Sequence, residues 1–167
     1  MSEPDRRSET ADDAVEDTDP DFSESIRWRA GIISGAIASV SMGLVIMVMD
    51  FELLRTTIAV LYGQEESLII GWIAHLVHGS LFGLLFAVLL SEPNLARLYQ
   101  RMWKIVAAGI VYGVVLTVVA AGIIMPIWLG AVEYPRAPSI PNITVTSLIW
   151  HVVYGIVLGV VFSLITK

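Results

Sequence analysis

The chain has no cysteine. That removes disulfides, thiolate zinc sites, iron–sulfur clusters and cysteine nucleophiles together. Charge is scarce as well: 16% of the 167 residues are Asp, Glu, Lys or Arg, where a soluble domain carries about a quarter. Lysine is nearly missing, with only Lys104 and Lys167 beside eight arginines. No basic stripe exists, so nucleic-acid binding is excluded. No glycine-rich loop opens a soluble helix to cradle a phosphate, and no nucleophile is paired with a base for acyl transfer. With 56% hydrophobic residues and a mean hydropathy of +0.74, a water-soluble globule is excluded too.

What charge there is collects at one end. Residues 1–24 hold ten acids, from Glu3 to Glu24, against Arg6 and Arg7. A run so poor in aromatic and β-branched residues buries too little surface to offset its ordering entropy, so residues 1–26 read as a disordered, acidic cytoplasmic tail. The acidic tail and the preference for arginine together point to adaptation to high salt. The first apolar stretch starts at Ala30, behind an acidic leader, and exceeds the roughly 7–15 residues of a signal-peptide core. It is expected to stay in the mature protein.

Residues 27–167 form the second domain, all α-helical. A bilayer core about 30 Å thick needs about 20 apolar residues in a helix. Four stretches qualify: Ala30–Met49, Ser67–Leu90, Ile105–Val132 and Ile143–Thr166, none of which contains Asp, Glu, Lys or Arg. Cations flanking the spans set orientation. Arg27, Arg29, Arg97, Arg101, Lys104 and Lys167 lie on the terminal side, against Arg55 and Arg136 on the other. The chain is therefore expected to be a multi-pass protein of the plasma membrane with both termini cytoplasmic. Trp28 and Trp103 stand beside the cations at the starts of spans one and three, where indoles favour the headgroup layer.

The two outer connections differ. Phe51, Leu54, Ile58 and Leu61 are spaced to give a short helix one apolar face, predicting an interfacial helix lying on the membrane. The second connection carries Pro135, Pro138 and Pro141, cannot be regular helix, and ends at Asn142, the expected cap of span four. Asn142-Ile143-Thr144 is also a glycosylation sequon, but its closeness to the membrane favours capping over modification. Pro126, near the outer end of span three, is expected to kink or finish that helix.

The spans repeat. An offset of 78 lays Gly31-Ile32-Ile33-Ser34-Gly35 on Gly109-Ile110-Val111-Tyr112-Gly113, Ser39 on Thr117 and Met47 on Met125. An offset of 76 lays His75-Leu76-Val77-His78-Gly79 on His151-Val152-Val153-Tyr154-Gly155, Gly83 on Gly159 and Phe86 on Phe162. The chain thus reads as a four-transmembrane-helix bundle built from two parallel-repeat helical hairpins, related by an axis along the membrane normal. The pairs Gly31/Gly35, Gly79/Gly83, Gly109/Gly113 and Gly155/Gly159 let backbones approach closely, which is how helices associate in lipid.

The ionisable groups inside the spans, tyrosines apart, are His75, His78 and His151. Polar groups at such depth each need a partner. His75 and His151 both lie eight residues from the outer end, about 12 Å deep at 1.5 Å per residue, facing inward across a central axis. The simplest role is packing: hydrogen bonds to each other, to Tyr154, Ser80, Thr117 or a backbone carbonyl. A second is bis-histidine ligation of haem, which a helical bundle can provide; against it, the glycines that follow each histidine mark a face too close-packed for a porphyrin. A third is a proton or ion path through His75, His78, His151 and Tyr154. A metal site on the three histidines lacks a carboxylate and is not expected.

Gly71-Trp72-Ile73-Ala74-His75-Leu76-Val77-His78-Gly79, Ala121-Gly122-Ile123-Ile124-Met125-Pro126-Ile127-Trp128-Leu129-Gly130 and Trp150-His151-Val152-Val153-Tyr154-Gly155 resemble segments of a family of small four-span membrane proteins from halophilic archaea. The resemblance covers roughly residues 27–166. Its members often carry the label histidine kinase, which the residues do not support: a sensor kinase needs a soluble phospho-accepting helix and an ATP-binding domain, and every histidine here lies within a span. The resemblance implies no assigned activity and no functional residues. The reading is an integral membrane protein that is not an enzyme and holds no cofactor, a packing or interaction module that meets lipid and other membrane proteins or copies of itself. A haem-binding electron carrier and a small proton or ion conductor are the alternatives.

Overall fold

The computed structural model describes residues 20–92, 95 and 101–167, with side chains from Arg27 onward; the acidic tail before Pro20 and Arg97 lie outside the described residues. The described residues are helical, without a strand. Helix α1 covers Pro20–Met49, α2 Leu68–Ser91, α3 Met102–Leu116, α4 Met125–Ala131 and α5 Val145–Ile165. A π-helical stretch, Thr117–Ile124, joins α3 to α4 in one continuous rod, so four helices are long and apolar enough to cross a membrane: Arg27–Met49, Leu68–Ser91, Met102–Ala131 and Val145–Ile165. The two long connections share one end of the bundle, the loop end, and the first span's start at Arg27 and the end of α5 share the other.

Span boundaries differ from the sequence reading in two places, each for a local reason. Residues 20–26, grouped with the tail on composition, belong to α1, which begins at Pro20, a residue whose fixed φ suits a first helical turn. The cap of α5 is Thr144, whose side chain accepts from Ser147 N at 3.0 Å, and not Asn142. Asn142 serves elsewhere. Pro126 has no N–H to give to Gly122 O, its helical partner four residues back, and the Asn142 N–H takes that place at 2.9 Å. The rod therefore continues past Pro126 to Ala131 instead of ending there, and the π-helical turns immediately before it absorb the misfit.

The first connection is folded onto the bundle, a correction to the helix expected to lie on the membrane. Leu53–Ile58 is π-helical; Leu54, Ile58 and Leu61 are buried, while Phe51 is 39% exposed. The Leu54 carbonyl packs on Gly71 of α2, where any Cβ would overlap it. Arg55 ties the segment shut through Glu52 and Glu66, and its carbonyl accepts from Ser67 N at 2.9 Å.

Backbones approach closely between α1 and α2, α1 and α5, and α3 and α5, whereas α2 and α3 scarcely meet. The helices are thus ordered α2, α1, α5, α3 around a centre with one loose seam. Glycine makes the tight interfaces: a Cβ on Gly31 or Gly35 would strike the carbonyls of Gly83 or Gly79, and one on Gly109 or Gly113 those of Gly155 or His151. At the α2–α3 seam side chains span the gap instead. Tyr112 Oη donates to Phe82 O at 2.9 Å, and its ring lies 5.3 Å from that of Phe86.

Candidate functional site: a cavity at the loop end

Because α2 and α3 stand apart while the other pairs touch, the bundle encloses a cavity of about 760 Å³ in its loop-end half. Apolar side chains such as Met42, Ile46, Phe82, Leu116 and Met125 form its walls, and Asp50, Tyr134 and Arg136 stand at its mouth. Arg136 stacks over the Tyr134 ring at 5.6 Å and has no ion pair among the described residues. Arg55, the other described loop-end cation, is neutralised by Glu52 and Glu66.

The floor is made by Tyr154 of α5, which is 2% exposed and reaches across to donate to Gly79 O at 2.7 Å. Toward the termini the bundle is filled. Phe86 meets Phe162 edge to face at 5.6 Å, and Ile105, Leu158 and Phe162 are buried. The cavity is a dead-end vestibule among the described residues, and both interior tyrosine hydroxyls are spent on backbone carbonyls.

All three histidines line this cavity. His75 Nε2 donates to Ser39 O of α1 at 3.0 Å, and Ser39 Oγ donates back to His75 O at 3.3 Å. His151 Nδ1 donates to Ser147 O, one turn back on its own helix, at 2.8 Å. A carbonyl can only accept, so each bond fixes the tautomer: in the neutral rings His75 carries its proton on Nε2 and His151 on Nδ1. The remaining nitrogens, His75 Nδ1 and His151 Nε2, hold lone pairs and have no hydrogen bond from the described residues. His75 and His151 are thus unlike in role, since only His75 bridges two helices.

His78 sits nearer the seam. Its Nε2 lies 2.7 Å from Tyr62 Oη, and its ring, with Tyr62 and Trp128, forms an aromatic cluster with centroids 5.5–5.9 Å apart. The cluster links the folded first connection, α2 and α4. Partial burial raises the Tyr62 phenol above its ordinary pKa, which keeps its hydroxyl protonated beside the imidazole.

Of the two imidazoles considered for haem, each has one ring nitrogen committed to a backbone carbonyl, which leaves the lone pair of His75 on Nδ1 and that of His151 on Nε2. Among the described residues no group of three or more His, Cys, Asp or Glu is placed to hold a metal ion.

Sequence reasoning brought His75, His78, His151 and Tyr154 to attention, and all four line the one cavity. It missed Ser39, Tyr62, Trp128 and Trp150. Ser39, a buried serine in mid-span, was the legible signal among these. Trp150 is also buried against the cavity, and its Nε1 has no partner among the described residues.

Residues 27–167 match DUF6789, a family of unknown function. The chain belongs to that family. No curated protein and no solved structure matches it. The DUF6789 region opens at Arg27, the start of the first span, and contains every cavity-lining residue, so the vestibule lies wholly inside the part of the chain the family defines.

Proposed function

We propose that the protein is a non-enzymatic, membrane-embedded binding module whose working part is the loop-end vestibule. The observation that carries this is the cavity of about 760 Å³ itself, within the range of about 300–1,000 Å³ typical of small-molecule sites. Helices that pack on glycine elsewhere leave this space unfilled at the one level where three imidazoles collect. Ser147 Oγ lies 3.4 Å from His151 Nδ1 in its wall, but that ring nitrogen gives its proton to Ser147 O at 2.8 Å and so does not serve the hydroxyl as a base. The cation asymmetry supports placing both termini in the cytoplasm and the mouth at the outer face of the plasma membrane, and the pairing of Arg55 with two acids strengthens it.

The architecture is read as two related hairpins, α1–α2 and α3/α4–α5. Equivalent glycines make both interfaces, but in different register. Gly31 and Gly35 meet Gly83 and Gly79, whereas Gly109 and Gly113 meet Gly155 and His151, one helical turn away from the first pairing. That slip accompanies the different neighbours of His75 and His151. Association with other membrane proteins fits the broad apolar outer surface.

A stability comparison tests the vestibule. Ala120 lines it, while Ala87 is buried where it would meet a Cβ on Gly31. Ala120→Leu should be tolerated, because its added atoms enter empty space. Ala87→Leu should cost about 1–3 kcal/mol by overpacking. Equal losses from the two would show that the space is not there.

A further inference from the structure

The ligand class follows from which atoms the cavity leaves unsatisfied. We infer that the vestibule binds a neutral amphiphile with hydroxyl groups on its head, an alkyl- or prenyl-substituted phenol, hydroquinone or alcohol drawn from the bilayer. The inference rests on the binding-module reading above.

Three observations converge on this class. First, both fixed tautomers turn an acceptor to the ligand: His75 Nε2–H and His151 Nδ1–H are held by Ser39 O and Ser147 O, which leaves His75 Nδ1 and His151 Nε2 as lone pairs. A carbonyl or ether oxygen would meet those lone pairs with its own and gain nothing, whereas a hydroxyl donates. Second, the walls contain no Asp, Glu, Lys or Arg below the mouth, where Asp50 and Arg136 stand. A charged head would be stripped of water with no counter-charge to replace it, so the head is neutral. Third, the walls beyond these groups are apolar, and the α2–α3 seam is joined by side chains rather than backbone packing, which gives a lipid-borne chain a place to lie. The mouth cation Arg136 is exposed and stacked on Tyr134, so its charge is met by solvent.

The test uses 4-hexylresorcinol and its dimethyl ether, which share a ring and tail and differ in the two donors. Binding is read from tryptophan fluorescence of the full chain in lipid nanodiscs, with partitioning into empty nanodiscs subtracted. The resorcinol should bind roughly tenfold tighter than the ether, the effect of two ordinary hydrogen bonds. That preference should shrink toward unity in His151→Leu and in His75→Leu. The wild-type comparison stands even where a variant fails to fold. Equal binding of resorcinol and ether would overturn the hydroxyl assignment while leaving the vestibule as a binding site. Binding of neither would also overturn it, and the vestibule would then stand or fall on Ala120→Leu.

Discussion

Ser39 and His75 bind each other twice: the imidazole Nε2–H donates to the serine carbonyl at 3.0 Å, and the serine hydroxyl donates to the histidine carbonyl at 3.3 Å. The pair clasps α1 to α2 at the level of the cavity, directly above the glycine contact of Gly35 with Gly79. His151 makes no such clasp, because its proton goes to its own helix. His75→Ala should therefore lower stability in detergent by about 0.6–2 kcal/mol, the range for one interhelical hydrogen bond in a membrane protein, and His151→Ala by less. Thermal unfolding of the two variants decides it, and a larger loss from His151→Ala would contradict the assigned partners.

Close packing makes a sharper demand at Gly79. A methyl group there would overlap Ser39 Oγ and crowd the Gly35 carbonyl, whereas Gly130 has open space around it. Gly79→Ala should cost about 1–3 kcal/mol and loosen the Ser39–His75 clasp. Gly130→Ala should be neutral or slightly stabilising, since it replaces a helical glycine. Matching unfolding temperatures for the two would contradict the α1–α2 interface.

Pro126 and Asn142 form the third testable relationship. Because the proline leaves Gly122 O free for the Asn142 N–H, Pro126→Ala supplies a competing donor inside the helix. The Asn142 amide should then exchange with solvent faster, and the π-helical turns before residue 126 should relax toward α. Unchanged exchange at Asn142 would show that the loop is held by other means.

Topology is checked by chemistry, helped by the absence of native cysteine. Single cysteines at Ser8 and Ser139 should label differently with an impermeant reagent in intact cells, with Ser139→Cys reactive and Ser8→Cys protected. Reaction at Ser8→Cys would reverse the orientation.

The spans were legible because each condition for crossing a bilayer, length, apolarity and freedom from charge, is written locally in the residues. The histidine and tyrosine cluster was legible because polar groups are conspicuous in such runs. What escaped was non-local. His75 finds its partner 36 residues away, and Gly122 O finds its donor in a loop whose prolines merely announced irregularity. The first connection misled because an amphipathic stripe looks the same whether it meets lipid or protein; Gly71, which admits the Leu54 carbonyl, decides between them. The cavity itself goes with the separation of α2 from α3, which has no one-residue signature.

The most direct test of the vestibule compares two buried serines of α5. Ser147 is 6% exposed and lines the cavity, whereas Ser163 is 1% exposed in the filled half. In detergent, where both faces of the bundle are open to solvent, Ser147→Cys should react with a small charged methanethiosulfonate and Ser163→Cys should not. If Ser147→Cys proves as unreactive as Ser163→Cys, the loop-end half is packed shut and the protein has no vestibule to fill.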